Sequence, residues 1–178
     1  MQSMGRKRGF EVVTNYASEE IHLPKRATKH AAGYDFEAAE DIEIPSIWQA
    51  GVRAGWEAIK SITVEKQKFS SAKPILVPTG IKAYMGKDEY LELANRSSNP
   101  LKRFLLMANG VGVVDSDYYN NPDNEGHIFF QFLNFGFSSV KIQKGERIGQ
   151  GIFHSCLKSD NDVEGEDRLS GFGSTGKS

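Results

Sequence analysis

The stretch "FLLMANGVGVVDSDYYNNPDNEGHIFFQFLNF", residues 104–135, decides the fold class of this chain. Short apolar runs rich in β-branched and aromatic residues alternate in it with clusters of Asn, Asp, Gly and Pro, which is typical of strands joined by turns. The same pattern recurs on both sides of it, in "GFEVVT", "DIEI", "PILVPTGIKAYM", "EYLELAN" and "SVKIQKGERIGQGIF". The sequence therefore predicts an all-β domain, built as a sandwich or a barrel.

One segment breaks the strand pattern. "SIWQAGVRAGWEAIKSI", which begins at Ser46, follows a proline and spaces four apolar residues at nearly helical intervals: Ile47, Val52, Trp56 and Ile59. We predict one short helical insertion around residues 46–60, followed by a polar loop that returns the chain to the next strand.

The composition is that of a single globular domain, which we expect to span residues 1–178. The chain is 39% hydrophobic and 25% charged, so it can bury a sizeable core. Its formal net charge is -1, and no overall field draws it toward nucleic acid or an anionic membrane. Recognition of a phosphate group would therefore depend on a local cluster of residues.

The absence of certain sequence features indicates the cellular setting. No apolar run has the length of a signal peptide or the roughly 20 residues of a membrane span. The single cysteine, Cys156, excludes intrachain disulfides, and its apolar neighbours predict a buried, unreactive thiol. We therefore expect a cytoplasmic protein that is neither exported nor anchored to a membrane.

Two polar stretches are candidates for ligand binding. In "AAGYDFEAAED" a glycine makes a turn that leads into a strand carrying Asp35. In "LANRSSNP" Arg96 is followed by Ser97, Ser98 and a proline, which predicts an irregular segment after a strand. A guanidinium beside two hydroxyls suits the binding of an anion such as phosphate, although an ordinary surface turn explains the same residues.

A third stretch combines carboxylates with an aromatic phenol. In "GVVDSDY" an apolar strand ends directly in Asp115, Ser116, Asp117 and Tyr118. A carboxylate at a strand end beside a pocket can act as a general base toward a water molecule. The alternative is a hairpin whose aspartates only stabilise a turn.

The stretch "KIQKGERIGQGIF" reads as a turn followed by a strand. Gly145 makes the turn, and one simple reading of Glu146 and Arg147 is a surface ion pair worth less than about 1 kcal/mol. Gln150 is polar where the alternation favours an apolar residue, which gives a weak indication of function.

The C-terminal stretch "RLSGFGSTG" places one cation and one aromatic ring among three glycines. The glycines free the backbone to approach a ligand, Arg168 supplies charge, and Phe172 offers a flat ring for stacking on a base. Such a terminus can be disordered, or it can be disordered when free and close as a lid when ligand is bound.

These stretches, in this order and spacing, resemble the five signature motifs of the trimeric dUTP pyrophosphatase (dUTPase) family. The matching motifs are "AGYD", "RSS", "GVVDSDY", "GERIGQ" and "RLSGFGSTG". The resemblance runs from about Val13 to the end and leaves out only the segment around residues 46–70. The resemblance implies a distorted jelly roll of the β-clip type, assembled as a homotrimer with three active sites at subunit interfaces. It also implies hydrolysis of dUTP to dUMP and pyrophosphate, with Mg²⁺ as cofactor.

The resemblance implies a role for each matched residue. Asp115 would activate the water that attacks the α-phosphorus, and Tyr118 would pack beneath the sugar and exclude ribose. Asp35 would contact the magnesium ion only through its waters, and no direct protein ligand to the metal is expected. The other expected substrate-binding residues are Arg96, Ser97, Ser98, Gln150 and Arg168 for phosphates, Asn109, Val113, Val114 and Phe129 around the uracil, and Phe172, Gly173 and Ser174 in a flexible C-terminal lid over residues 165–178.

The chain also departs from the family pattern. Asn95, Gly149 and Leu169 replace residues that are common in the family, and all three changes leave the reactive groups in place. Residues 119–125 lengthen the hairpin after the tyrosine, and residues 46–70 form an insertion that we expect to pack outside the β-core and to offer a surface for a protein partner. Two alternatives stay open: a dCTP deaminase of the same fold, and a regulatory relative that acts by binding proteins.

Overall fold

The computed structural model describes residues 6–49 and 73–163. Strands dominate these two ranges, together with a short α-helix, α1 (Ser98–Arg103), and two 3₁₀ turns, Thr14–Tyr16 and Ser116–Tyr118. The strands in chain order are β1 (Gly9–Val12), β2 (Lys25–Arg26), β3 (Tyr34–Glu37), β4 (Ile42–Ile44), β5 (Ile75–Pro78), β6 (Ile81–Tyr84), β7 (Glu89–Asn95), β8 (Leu105–Met107), β9 (Gly112–Asp115), β10 (Phe129–Asn134), β11 (Val140–Ile142) and β12 (Arg147–Ser155).

The strands form several small antiparallel sheets. The largest has the order β2-β3-β12-β7-β9, a second has the order β5-β10-β8, and β1-β6 and β11-β4 form two-stranded ribbons. Most partners lie far apart in the sequence, so the sheets come from long connections rather than from local hairpins. This arrangement confirms the predicted all-β fold of the jelly-roll type.

The core lies between the five-stranded sheet and the three-stranded sheet. Phe36 on β3 and Phe130 and Phe132 on β10 are fully buried, and the Phe36 and Phe130 rings lie 5.7 Å apart between centroids. A Cβ added to Gly149 on β12 would overlap the ring of Phe130. The glycine at position 149 is therefore required by the phenylalanine that packs on it, since protein cores leave no room for an extra methyl group.

Two of the long apolar runs are divided in the structure. "PILVPTGIKAYM" becomes β5 and β6, which belong to different sheets, and the chain turns between them at Gly80 with a φ of 69°. "FLLMANGVGVVD" likewise becomes β8 and β9 with a turn at Gly110, also at a φ of 69°. The left-handed backbone region strongly favours glycine, so these two glycines mark where each run changes sheet.

The prediction of an irregular segment after Arg96 is wrong, because helix α1 begins there at Ser98. Pro100 stands in its first turn, where backbone N–H groups have no intrahelical acceptor, and a proline is therefore tolerated. Phe104 ends the helix with a φ of 55°. The proline that appeared to interrupt regular structure instead occupies a position that suits a helix start.

The predicted helical insertion begins at the expected place. Residues 47–49 are helical, whereas the remainder of the segment, residues 50–72, lies outside the described residues. Among the described residues, no helix has the length and apolar character needed to cross a bilayer.

The prediction of a buried thiol at Cys156 is wrong, because this residue is exposed. It directly follows Ser155, the last residue of β12, where the chain leaves the sheet. Its backbone N–H still donates to the carbonyl of Asp88 at 2.7 Å, but the side chain is no longer covered by a neighbouring strand.

Candidate active site

Strand β7 organises the site, because it pairs with β12 on one side and with β9 on the other. The residues expected to bind phosphate lie at the C-terminal end of β7, near Asn95. The candidate base, Asp115, lies at the N-terminal end of β7, opposite Tyr90. These two groups are called here the anion end and the carboxylate end. The anion end contains Asp35, Arg96, Ser97, Ser98, Arg147 and Gln150. The carboxylate end contains Asp115 and Tyr118, while Val113 and Val114 stand opposite Glu92 and Leu91 between the two ends, and Asn109 precedes them toward the anion end.

At the anion end, Arg96 lies just beyond β7 and is held against β12. Its Nη1 donates to the backbone carbonyl of Arg147 at 3.0 Å. The next turn is fixed by Asn99, a buried residue of α1, whose Nδ2 donates to Asn95 Oδ1 and to the carbonyl of Ile148, both at 2.8 Å. The segment that carries Ser97 and Ser98 is therefore clamped between β7 and β12.

Asp35 on β3 is 8% exposed and has two partners from β12. Arg147 Nη1 lies 3.1 Å from Asp35 Oδ2, and Gln150 Nε2 donates to Asp35 Oδ1 at 3.1 Å. The β3–β12 register places Gln150 opposite Asp35. A Cβ on Gly33 would lie 3.0–3.2 Å from three atoms of Gln150, so the glycine gives this side chain its space.

Glu146 and Arg147, for which a mutual ion pair is one reading of the sequence, pair with other residues in the structure. Arg147 pairs with Asp35, and Glu146 instead pairs with Arg103 at the end of α1. The irregularity in the β3–β12 register between Arg147 and Gly149 helps to explain the difference, since a bulge changes the direction in which neighbouring side chains point. Sequence reasoning missed Arg147 and Asn99 because their partners come from distant strands.

An open groove of about 350 Å³ borders Asp35 and Arg147. Its other side chains include Lys25 and Arg26 from β2 and Glu37 from β3. Arg26 Nη1 donates to the carbonyl of Lys29 at 3.1 Å and of Ala31 at 3.4 Å, which holds the turn that leads into β3. The anion end therefore combines cations, a buried carboxylate and a cavity.

The carboxylate end lies at an edge of the five-stranded sheet. Strand β9 pairs with β7 so that Asp115 stands opposite Tyr90 and Val113 opposite Glu92. Along β9, Gly112 and Val114 are buried, whereas Val113 and Asp115 are exposed, with Val113 at 60%. Because side chains alternate along a strand, Asp115 and Val113 share the outer face.

Strands β8 and β9, which are consecutive in the sequence and lead to Asp115, do not pair with each other as a hairpin. β8 pairs with β10 and β9 pairs with β7, so the turn around Asn109 joins two sheets. The turn itself is tight, since the N–H of Gly110 donates to the carbonyl of Met107 at 3.1 Å. Asn109 is exposed at its tip.

Tyr118 and Phe129 lie where the chain returns from β9 to β10. Tyr118 is buried, and Phe129 is half-buried on β10 beside the ring of His127, at 4.1 Å between centroids. The N–H of Gly80 donates to His127 Nε2 at 2.9 Å, and burial lowers the pKa of His127 to about 4. Its imidazole is therefore neutral at pH 7.

The structure brings the anion-end residues together within one chain, but it does not bring Asp115 to them. Arg96 lies six positions beyond Tyr90, the residue opposite Asp115. At about 3.3 Å per strand residue, this separation is about 20 Å along β7. The tail residues Arg168, Phe172, Gly173 and Ser174 lie outside the described residues, as does most of the 46–70 insertion.

Residues 6–49 and 73–163 contain no group of three or more His, Cys, Asp or Glu side chains that could hold a metal ion. Asp35 still has lone pairs beyond its bonds to Arg147 and Gln150, because a carboxylate offers about four acceptor sites. It can therefore accept hydrogen bonds from the waters of a cation that a ligand carries into the groove.

Comparisons with known proteins agree on one family. The family model described as dUTPase matches residues 57–176. A deoxyuridine 5'-triphosphate nucleotidohydrolase of Lactococcus lactis is 47% identical over 95% of this chain and 97% of its own length. A rat protein of the same description is 32% identical over 90% of this chain and 64% of its own length.

Solved structures agree with the sequence relatives. The dUTPase from Streptococcus mutans superposes with a TM-score of 0.68 at 45% identity, covering 85% of this chain and 98% of that one. A variant of the phage phi11 dUTPase of S. aureus, described with a structural Mg(II) ion, gives a TM-score of 0.62 at 13% identity, over 90% of this chain and 98% of that one. The second likeness concerns the fold alone.

Proposed function

The chain belongs to the dUTPase family, and we propose that it hydrolyses dUTP to dUMP and pyrophosphate at a site shared between copies of the chain. The activity is that of a dUTP diphosphatase, which decides against the deaminase alternative. The observation that carries the shared site is the separation of Asp115 from Arg96 by about 20 Å along β7. One chain therefore holds two halves of a site.

The anion end supplies the binding half. The guanidinium of Arg96 and the hydroxyls of Ser97 and Ser98 bind phosphate oxygens of the substrate, and the amide of Gln150 contributes beside them. Asp35 would accept hydrogen bonds from the waters of a bound Mg²⁺, and its bonds to Arg147 and Gln150 hold the carboxylate in place for this task. When bound, Mg²⁺ neutralises charge on the triphosphate.

The carboxylate end of a second subunit supplies the reacting half. Asp115 takes a proton from a water molecule as the water oxygen attacks the α-phosphorus. The bond between the α-phosphorus and the bridging oxygen breaks, and pyrophosphate leaves. Asn109 and the backbone of Val113 and Val114 contact the uracil edge, because an edge strand has backbone groups that point away from its sheet. Phe129 lies near this return of the chain, and Tyr118 packs beneath the sugar.

A homotrimer accounts for the position of the two ends. A ring of three copies can place the carboxylate end of each chain against the anion end of its neighbour. One face that would become a subunit contact is the outer face of the sheet β5-β10-β8. It exposes Leu76 on β5 and Leu106 on β8, at 45% and 42%, and the register aligns them with Gln131 and Leu133 of β10. Exposed apolar patches of this kind mark association surfaces.

The C-terminal tail, residues 165–178, closes over the occupied site in this proposal. Arg168 binds phosphate, Phe172 stacks on the uracil ring, and Gly173 and Ser174 contact phosphate oxygens with their backbone and hydroxyl groups. A chain ending at residue 164 should keep its thermal unfolding temperature and lose most of its turnover. Normal hydrolysis by the truncated chain would contradict the role of the tail.

The test of the function is pyrophosphate release from dUTP, UTP, dTTP and dCTP, each with and without Mg²⁺. We expect turnover of dUTP well above that of the other three, and a strong dependence on Mg²⁺. Ammonia release from dCTP, assayed in the same samples, would contradict the assignment. We also propose that the protein acts in the cytoplasm. The insertion at residues 46–70 is a proposed contact for a protein partner, and a pull-down with and without these residues tests it.

A further inference from the structure

We propose that Asn124 positions Tyr118 and thereby sharpens the discrimination between deoxyribose and ribose. This inference rests on the proposed function, which places Tyr118 beneath the sugar. Asn124 belongs to the stretch of residues 119–125 that lengthens the connection between β9 and β10. The lengthened stretch thus has a task in the site rather than being a passive surface loop.

The hydroxyl of Tyr118 is already engaged within the protein. It donates to the backbone carbonyl of His127 at 3.0 Å and accepts from Asn124 Nδ2 at 2.8 Å. Since a phenol has one proton, Tyr118 has none to offer to a nucleotide. Tyr118 therefore acts on the sugar through the position of its ring, which is 7% exposed and packs in the core.

Asn124 is itself held in a single orientation. Its Oδ1 accepts from Asn121 Nδ2 at 2.8 Å and from the N–H of Gly126 at 3.0 Å. The buried Asn121 also accepts from the N–H of Asp123 at 3.0 Å and of Asn124 at 3.1 Å. Because Oδ1 has two donors facing it, the amide cannot flip, and Nδ2 must point at the Tyr118 hydroxyl.

The stretch is anchored to the strands on which it lies. Glu125 accepts from the N–H of Thr14 at 3.0 Å, Lys82 Nζ donates to Asn120 Oδ1 at 2.6 Å, and Tyr119 donates to Glu11 at 2.6 Å. These contacts tie both ends of the stretch to β1, to β6 and to the turn after β1. The position of Asn124 is thus set by the sheet and not by a free loop.

The return of the chain also passes directly against Tyr118. A Cβ on Gly126 would lie 2.5 Å from the carbonyl oxygen of Tyr118, and Gly126 has a φ of 82°. Only glycine is accommodated there, so the backbone closes tightly around the tyrosine. A ring held by its hydroxyl and by its own backbone cannot shift to admit a 2′-hydroxyl, and such rigidity is what the rejection of one extra group requires.

The test compares kcat/KM for dUTP with kcat/KM for UTP in Asn124→Asp and in a matched control, Asn120→Asp. Both variants add one carboxylate to the same stretch, residues 119–125. Asn124→Asp keeps the Oδ1 acceptor but replaces the donor to Tyr118, whereas Asn120→Asp keeps the acceptor for Lys82. We expect Asn124→Asp to lower the dUTP:UTP ratio about tenfold, the effect of losing one buried hydrogen bond, and Asn120→Asp to leave it unchanged within about twofold.

Tyr118→Phe removes the same hydrogen bond from the other side, and it provides a second variant should Asn124→Asp unfold. Because Tyr118→Phe also removes the hydrogen bond to the His127 carbonyl, we expect a fall in the ratio at least as large. We expect no further fall when Asn124→Asp is added, since the hydroxyl that Asn124 holds is then absent. Equal ratios in Asn124→Asp and Asn120→Asp, or an undiminished effect of Asn124→Asp beside Tyr118→Phe, would overturn the inference. A wild-type enzyme without preference for dUTP over UTP would instead overturn the proposed function.

Discussion

The two ends of β7 are built in different ways. At the anion end, Asp35, Arg96 and Gln150 are fixed by hydrogen bonds to neighbouring strands of the same chain. At the carboxylate end, Asp115 lies on the exposed face of an edge strand. The difference teaches that one subunit can orient the binding groups by itself. The reacting carboxylate instead faces outward, where the proposed function places a second subunit.

The largest expected effect comes from removing the base. Asp115→Asn keeps the size of the side chain and leaves β9 paired with β7, but an amide does not accept a proton from water. We expect kcat for dUTP to fall by about 10²- to 10⁴-fold, the usual contribution of general base catalysis, while nucleotide binding measured by calorimetry changes little. Turnover near that of the wild type would remove Asp115 from the mechanism.

Mixing two inactive variants tests whether the ends of β7 act across a subunit boundary. Asp115→Asn and Arg96→Gln chains, each inactive alone, are refolded together in equal amounts. If each site takes Asp115 from one chain and Arg96 from another, each of these two residues is native with a probability of one half in a random trimer. About one quarter of the sites then contain both native residues. We expect about that share of wild-type dUTP turnover; no recovery in demonstrably mixed trimers would place both residues in one chain.

The free energy of unfolding is also expected to fall in acid because of His127, which packs beside Phe129. Its pKa is about 4 in the folded chain because of burial, against 6.5 for the ordinary group, so the unfolded chain binds the extra proton between these values. Stability supplied by the neutral ring is complete above pH 6.5 and falls by up to about 3 kcal/mol as the pH drops toward 4.

Urea unfolding from pH 7 to pH 4.5 measures this loss. His127→Gln is the control, because its amide oxygen can accept from Gly80 and does not titrate. The wild type should lose more free energy of unfolding over this range than the variant does. Parallel pH curves for the two proteins would show that His127 does not take up the proton on unfolding.

The fit of Gly149 against Phe130 lies at the anion end, since Gly149 stands opposite Asn95. Gly149→Ala would force a methyl group into the phenylalanine ring, and we expect a loss of about 2 kcal/mol in the free energy of unfolding. Gly86→Ala is the matched control, since its Cβ would meet only Glu89, at 3.4 Å. Adding Phe130→Leu should relieve part of the loss in Gly149→Ala, and strictly additive effects would contradict the proposed overlap.

The smallest effect is expected at Arg147. Arg147→Gln leaves Asp35 with the hydrogen bond from Gln150 but without its cation, and we expect a fall of about tenfold in kcat/KM for dUTP. The Mg²⁺ concentration that gives half-maximal turnover should rise in the same variant. A merely structural change would not produce this rise. Lys25→Gln, which removes another cation that lines the groove, serves as a comparison for the general loss of positive charge.

Several features were determined by the sequence alone. The alternation of apolar and turn residues predicted the all-β fold, because side chains on a strand point alternately to two faces. The motifs around Asp35, Arg96, Asp115 and Gln150 identified the family, because residue types at short spacings are local information. The start of the helical insertion was also local, since a proline before a 3.6-residue period is enough to predict it.

Only the tertiary structure decided which strands pair, and with them the geometry of the site. The partnership of Arg147 with Asp35 and the clamp formed by Asn99 depend on the approach of separate segments. The division of the site between two ends of β7 follows from the register of β9 and β12 on that strand. Such long-range register is set by the packing of the whole core, and a local pattern does not contain it.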